Sequence, residues 1–330
     1  MTNPTVSIVY ITNRSTPRFD WFADSLARQL GDEPVEVIVV DGHHSSARTC
    51  EFARMVDDRF EMRHVPPKPT PYSGPQRLTR NAYSTIASAR NTGLVYASAP
   101  YVVFSDDSSV LMDGWLAEVS MAARHGYVLA GTYENRADLR VVDGQMVSGE
   151  RSGDACDSRW EIGDDDALVQ IVGSQLFGCA HGAPRADLLA INGFDELCDP
   201  IGGEDTNLGV RLEWSGRRLF FSRRMMAVKD GLRHAGDAYT RLDRGRSGAG
   251  SPGPARYMEC LSEFGVSQRT LADGPWDCSH LCLDLLYGTR SVRALGNHFD
   301  LAALTEADLA HLGDSFPERY WATGELLAEL

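Results

Sequence analysis

The chain has 330 residues, 43% of them hydrophobic, enough to bury a large core, and its length suggests about two domains. A formal charge of -14 with no polybasic run disfavours nucleic acid or an anionic membrane as a partner, because such surfaces need clustered cations. The longest apolar runs fall short of the ~20 residues a membrane-spanning helix needs, and no basic segment followed by a hydrophobic one opens the chain, so the expected address is the cytoplasm.

Val6 to Ile11 is apolar and β-branched and predicts a first strand. Phe19, Phe22, Leu26 and Leu30 then recur at helical spacing, with Pro17 suited to a first turn and Gly31 to a stop. Val35 to Val40, "VEVIVV", is a second buried strand ending at Asp41-Gly42; Ala47 to Val56 suits a helix and Phe60 to Val65 a third strand. Pro66 to Pro75 holds five prolines in ten residues and must be a loop. Asn81 to Ala97 reads as a helix and Tyr101 to Phe104 as a fourth strand. Alternating βα units with nearly continuous apolar strands imply a parallel sheet covered on both faces, with ligands beyond the carboxyl ends of its strands.

After Gly114-Trp115 the pattern changes. "LRVVDGQMV", Leu139 to Val147, places Asp143-Gly144 between two β-rich arms and predicts a hairpin. Val172 to Leu189 leads through a strand into a helix, and Thr206 to Trp214 is another helix, ended by Gly216. "GRSGAGSPGP", Gly245 to Pro254, reads as a flexible segment, and Ala255 to Leu330 is mostly helical by pattern. The seven cysteines are odd in number and scattered, which fits reduced thiols. Cys278 and Cys282 with His280 between them form either one helix face or a zinc pair lacking its second half. Only Lys68 and Lys229 are lysines, so phosphate recognition would fall to arginine and its planar fork.

Thr12-Asn13-Arg14, Asp41 and Asp106-Asp107 all follow strands directly, so one crevice could gather them. Asp106 and Asp107 in "FSDDSSV" either bind a divalent cation, which takes carboxylate oxygens, or cap a turn. Asp205, in "GGEDTNLGV", either works as a base at a helix start or caps that helix.

"VSIVYITNR", "VEVIVVDG", "ASARNTGLVYASAPYVVFSDDSSVLMDGWL", "INGFDE" and "GGEDTNLGVRLEWSGRRLFF" follow one another in an order and spacing that resemble family 2 glycosyltransferases with the GT-A fold. The resemblance covers roughly Val6 to His234. It implies an α/β, Rossmann-like, mostly parallel sheet flanked by helices. Residues 1–113 would be the nucleotide-sugar-binding half and 114–240 the acceptor-binding and catalytic half of one GT-A domain, followed by a linker at 241–254 and a helical extension at 255–330. Ile11, Thr12, Asn13, Arg14 and Asp41 would hold the base and ribose, and Arg90, of the Arg90-Asn91 pair, would brace the nucleotide pocket. Where relatives carry a second acid after the strand-two aspartate, this chain has Gly42-His43-His44.

An ungapped Asp-x-Asp reading puts Ser108 at the second acid and breaks that motif. Read as x-Asp-Asp, Asp106 meets the ribose or sugar and Asp107 binds Mn2+ or Mg2+, with His234 as a further ligand; a metal-independent enzyme is the alternative. The resemblance makes Asp205 the general base, with Glu204 orienting it or holding the acceptor. Acceptor contacts are expected from the region between Trp115 and His181, with Trp160 and His181 as candidate pocket residues, since exposed aromatic rings can stack on sugar faces, although a buried core Trp is the commoner case. The implied reaction is inverting transfer from a UDP- or GDP-sugar to a saccharide or other hydroxyl acceptor. The C-terminal helices would cover the acceptor or pair two subunits as a homodimer. A sugar-phosphate nucleotidyltransferase would normally show a Gly-rich basic loop after the first strand, which "TNRSTPRF" lacks. A non-catalytic nucleotide-sugar-binding homologue is the other rival.

Overall fold

The computed structural model describes residues 3–70, 72–75, 85–164, 167–199, 203–231, 292–294, 297 and 299–311. The predicted strands form as β1 (Val6–Thr12), β2 (Val35–Asp41), β3 (Glu61–Val65) and β4 (Tyr101–Asp106). The predicted helices form as α1 (Phe19–Ala27), α2 (Ser46–Val56) and α3 (Ile86–Tyr96). The next elements are β5 (Ser109–Leu111), α4 (Trp115–His125), β6 (Val128–Val142), β7 (Gln145–Cys156), β8 (Val169–Ile171), β9 (Ala180–Pro184), α5 (Arg185–Ala190), α6 (Glu204–Trp214) and β10 (Leu219–Asp230).

One sheet runs β3-β2-β1-β4-β9-β6-β10-β5, with β7 on β6 and β8 on β10. Pairing is parallel from β3 through β4 and between β6 and β10, while β9 runs antiparallel to both β4 and β6. Two antiparallel steps restore direction, so β1, β4, β6 and β10 all end on the same edge of the sheet. Alternate side chains divide between two cores, as the pleat requires. Val9, Ile11, Ile38, Val102 and Phe104 pack under Leu94 of α3, Leu188 of α5 and Leu208 and Leu212 of α6. Ile8, Tyr10, Val37, Tyr101 and Val103 pack under Phe19 and Phe22 of α1, Phe52 of α2 and Trp115 and Val119 of α4.

The Asp143-Gly144 turn forms as expected, both residues having positive φ (48° and 70°), but it joins far longer arms, β6 and β7. A Cβ on Gly144 would lie 2.4 Å from the Asp24 carbonyl carbon, so the turn's tip fits against α1 only without a side chain. Of the expected C-terminal extension, residues 299–311 add Phe299, Leu301 and Leu309 to the α3-side core, and 306–311 form a short helix. The expected linker and the Cys278-His280-Cys282 cluster lie outside the described residues. No helix among those described is long and apolar enough to cross a membrane.

The helix α3 is fixed from below by polar groups in the segment after α5. Asp199 accepts the backbone N–H groups of Ala87 (2.7 Å) and Ser88 (3.2 Å), two of the donors that a helix start leaves unpaired. Asn91 donates to the Phe194 carbonyl and to Glu196 and accepts the Phe194 N–H at 2.8 Å. Glu196 also takes a buried ion pair from Lys68 Nζ at 2.6 Å. Glu196→Ala would leave the Lys68 ammonium buried without a carboxylate, and a loss of about 3–5 kcal/mol in unfolding free energy is expected by urea titration. A loss below about 1 kcal/mol would show that this pair does not anchor the helix.

Candidate active site

Fixing α3 fixes Arg90, one residue before Asn91. Its guanidinium is 2% exposed and forks between two elements far apart in sequence, donating from Nη2 to Asp106 Oδ1 (3.0 Å) and from Nη1 to Glu204 Oε1 (2.8 Å). The carboxyl end of β4 and the amino end of α6 therefore meet at one point. Such forks suit arginine, whose planar donors match two carboxylates at once. Asp106 has a second cation on its other oxygen, Lys229 Nζ at 2.8 Å, from the last turn of chain in β10.

Burial would raise the Asp106 carboxyl, but Lys229 and Arg90 outweigh it and hold the group well below the usual carboxylate range. Glu204 goes the other way. Burial and the adjacent Asp205 push its carboxyl up to about 7, against the pull of Arg90. Asp205 is half-buried and its two oxygens accept backbone N–H groups, from Gly178 at 2.8 Å and Thr206 at 2.7 Å. Gly203 supplies the left-handed turn (φ 80°) that starts α6 here.

Asp107 points away from this pair, towards the end of β1. Its Oδ2 accepts from Thr12 Oγ1 (2.7 Å) and its Oδ1 from Arg14 Nε (2.9 Å), and Thr12 Oγ1 accepts the Arg14 N–H. Burial raises the Asp107 carboxyl while Arg14 and Thr12 oppose the rise. Ser108 adopts a left-handed conformation (φ 54°) that sends its N–H to the Pro17 carbonyl at 2.8 Å, so it is a turn residue.

Several expectations are corrected by this geometry. Asp41 is 0% exposed: Oδ1 accepts from His43 N–H and Arg48, and Oδ2 from Arg48 and His64. With both oxygens taken and no surface, it holds the loops after β1 and β2 rather than a base or ribose. Arg48 ties the same carboxylate to the Arg14 and Ser15 carbonyls. A Cβ on Gly42 would stand 2.1 Å from Asn13 Oδ1, so a side chain there would require the exposed Asn13 to rotate. Ile11 faces the α3-side core. His181 is 1% exposed between Phe104 and Phe194, so an acceptor would reach it only through other side chains; burial and Arg90 push its imidazole down to about 3. Trp160 lies under the Arg223 guanidinium at 5.3 Å. His234 lies outside the described residues.

The described donor set does not fit the expected divalent cation. Every oxygen of Asp106 and Asp107 already meets a charged or hydroxyl donor. A dication on Asp106 would have to displace the Arg90 guanidinium from one oxygen or the Lys229 ammonium from the other. Among the described residues no three His, Cys, Asp or Glu side chains converge on one point.

Lys229, Gly178, Arg48 and His64 are the site residues missed from the sequence. Lys229 had one signal, its rarity: it is one of two lysines among 32 basic residues.

Residues 8–145 match the family described as Glycosyl transferase family 2. Two validoxylamine A glucosyltransferases, from Streptomyces hygroscopicus subsp. limoneus and subsp. jinggangensis (strain 5008), are each 26% identical over 247 residues. That span covers 68% of this chain and 51% and 55% of theirs, so the chain spans about half the length of the curated relatives it matches. The S. aureus TarS 1-349 structure in complex with UDP-GlcNAc superimposes with a TM-score of 0.50 at 15% identity, over 79% of this chain and 66% of that one, which shows a shared fold.

The shift of Glu204 has a measurable sign. A carboxyl raised from 4.5 to about 7 contributes stability that is complete below pH 4.5 and is lost as pH rises through about 7. Calorimetry should therefore show the wild-type Tm falling relative to Glu204→Gln, which cannot ionise, across that window. A constant difference would contradict it.

Proposed function

We propose that this chain, which belongs to glycosyltransferase family 2 and has the GT-A fold, moves a sugar from a nucleoside-diphosphate sugar, UDP- or GDP-linked, to an acceptor hydroxyl with inversion at the anomeric carbon. The observation that carries this reading is the Arg90 fork, which brings Asp106 and the Glu204-Asp205 pair together at the carboxyl edge of the sheet. There Asp106, with Arg90, meets the donor's sugar or ribose, and Thr12, Asn13 and Arg14 at the end of β1 border the nucleotide.

Asp205 is the general base. It is the more exposed acid of its pair, whereas Glu204 is 9% exposed and bonded into the wall through Arg90. Asp205 takes the proton of the acceptor hydroxyl as that oxygen bonds to the anomeric carbon, and the bond from that carbon to the diphosphate breaks on the opposite face. The electron pair leaves on the diphosphate, the proton stays on Asp205, and one displacement inverts the centre with no enzyme nucleophile. The backbone N–H groups of Gly178 and Thr206 hold the carboxylate in a fixed orientation for this task. Glu204 acts as a positioning residue through Arg90.

The two relatives named validoxylamine A glucosyltransferase make a glucosyl donor, with validoxylamine A as acceptor, the first pair to try. GT-A glycosyltransferases commonly use a divalent cation, but the donor set described above gives no place to route a step through one.

UDP- and GDP-glucose with a panel of saccharide acceptors, followed by release of nucleoside diphosphate and NMR of the product, is the direct test; product with retained configuration would refute inversion. Asp205→Asn is expected to lower kcat by ~10²–10⁴ while donor binding by calorimetry changes little. A fully active Asn variant would remove Asp205 from the mechanism.

A further inference from the structure

We propose that the Lys229 ammonium, seated on Asp106 beside Arg90, is this protein's own positive charge for the donor's diphosphate, so that nucleotide binding needs no divalent cation. The inference rests on the glycosyltransferase reading.

Three observations converge on it. The first is placement: Lys229 is the penultimate residue of β10, in register with Ser109 of β5 and Asn135 of β6. It thus stands on the sheet edge where β1, β4, β6 and β10 all end, the edge at which such sheets bind ligands. The second is local charge. Arg90, on Asp106 Oδ1 at 3.0 Å, is shared with Glu204, whereas among the described residues the Lys229 ammonium, on Oδ2 at 2.8 Å, is paired with Asp106 alone, so Lys229 is the less committed of the two cations.

The third is unused donor capacity. An ammonium carries three N–H groups. Among the described residues Lys229 donates one hydrogen bond, to Asp106, and its side chain is 12% exposed. Lys68, the other lysine, shows the contrast: it is sealed in the core, 0% exposed, with Ser88 and Glu196 on its ammonium. A chain that uses arginine for 30 of its 32 basic side chains places one lysine where a buried carboxylate closes it off and the other where donors remain for an anion.

A point charge with rotatable donors, gripped by Asp106, is suited to follow a diphosphate as it gathers charge on leaving. No proton need be transferred, since the ammonium acts by attraction and hydrogen bonding. With Lys229 on one oxygen of Asp106 and Arg90 on the other, neither oxygen is left for a metal ion.

The test uses the full chain, dialysed against EDTA, with UDP and GDP as probes in calorimetry and thermal shift, in EDTA and again with excess Mn2+. One of the two nucleotides is expected to bind in EDTA with a Kd within about twofold of its value in Mn2+. Lys229→Met is expected to weaken that binding by roughly 10–100-fold, the scale for deleting one partner of a desolvated charge contact, and Lys229→Arg to recover most of it.

Binding that needs Mn2+ would overturn the inference while leaving the glycosyltransferase reading in place. Failure of both nucleotides under both conditions would overturn the two together. Undiminished binding by a folded Lys229→Met would also sink the proposal. Should that variant not fold, the EDTA comparison on the wild-type chain decides alone.

Discussion

A single buried guanidinium holds the candidate site together. Arg90 reaches the end of a central strand with one nitrogen and the start of a distant helix, 114 positions further along the chain than itself, with another. Burying a cation is costly unless carboxylates and hydrogen bonds surround it. Here two carboxylates do, and Phe194 lies under its face at 5.2 Å. The cost of burial favours this geometry, because a displaced Arg90 would leave its guanidinium buried without a carboxylate.

That fork requires an immobile helix beneath it. The two halves of the sequence pair Arg90-Asn91 divide the work: Arg90 faces the acids, and Asn91 locks α3 to the Phe194 backbone and to Glu196. Asp199 closes the helix start and Lys68 closes Glu196. The segment after α5 is thus a clamp on the site's main cation. Residues 299–301 extend the clamp, with Asn192 bonding both the Phe299 carbonyl and the Leu301 N–H.

The strand-end acids illustrate how neighbours decide what a carboxylate can do. Asp41, Asp106 and Asp107 follow strands in the same way, yet they do three different jobs. Asp41 is roofed by Arg48 and His64 and becomes internal scaffolding, Asp107 braces the turn after β1, and Asp106 stands between two cations at the strand end.

Much of the fold was written in the sequence. Continuous apolar strands such as "VEVIVV", helical spacing at Phe19, Phe22 and Leu26, and Asp143-Gly144 at a turn are local signals, and β1 to β4, α1 to α3 and the hairpin turn follow them. The order of motifs also located Arg90, Asp106, Glu204 and Asp205 as the residues to watch. What the sequence could not fix was partnership. That Asp41 and Asp107 are consumed by Arg48, His64, Arg14 and Thr12, that His181 lies in the core, and that Lys229 lands on Asp106 all depend on which strands become neighbours through β9 and β10. Periodicity reports which face of an element is buried. Only the tertiary arrangement brings opposite charges within hydrogen-bond reach, and a carboxylate's chemistry is set at that distance.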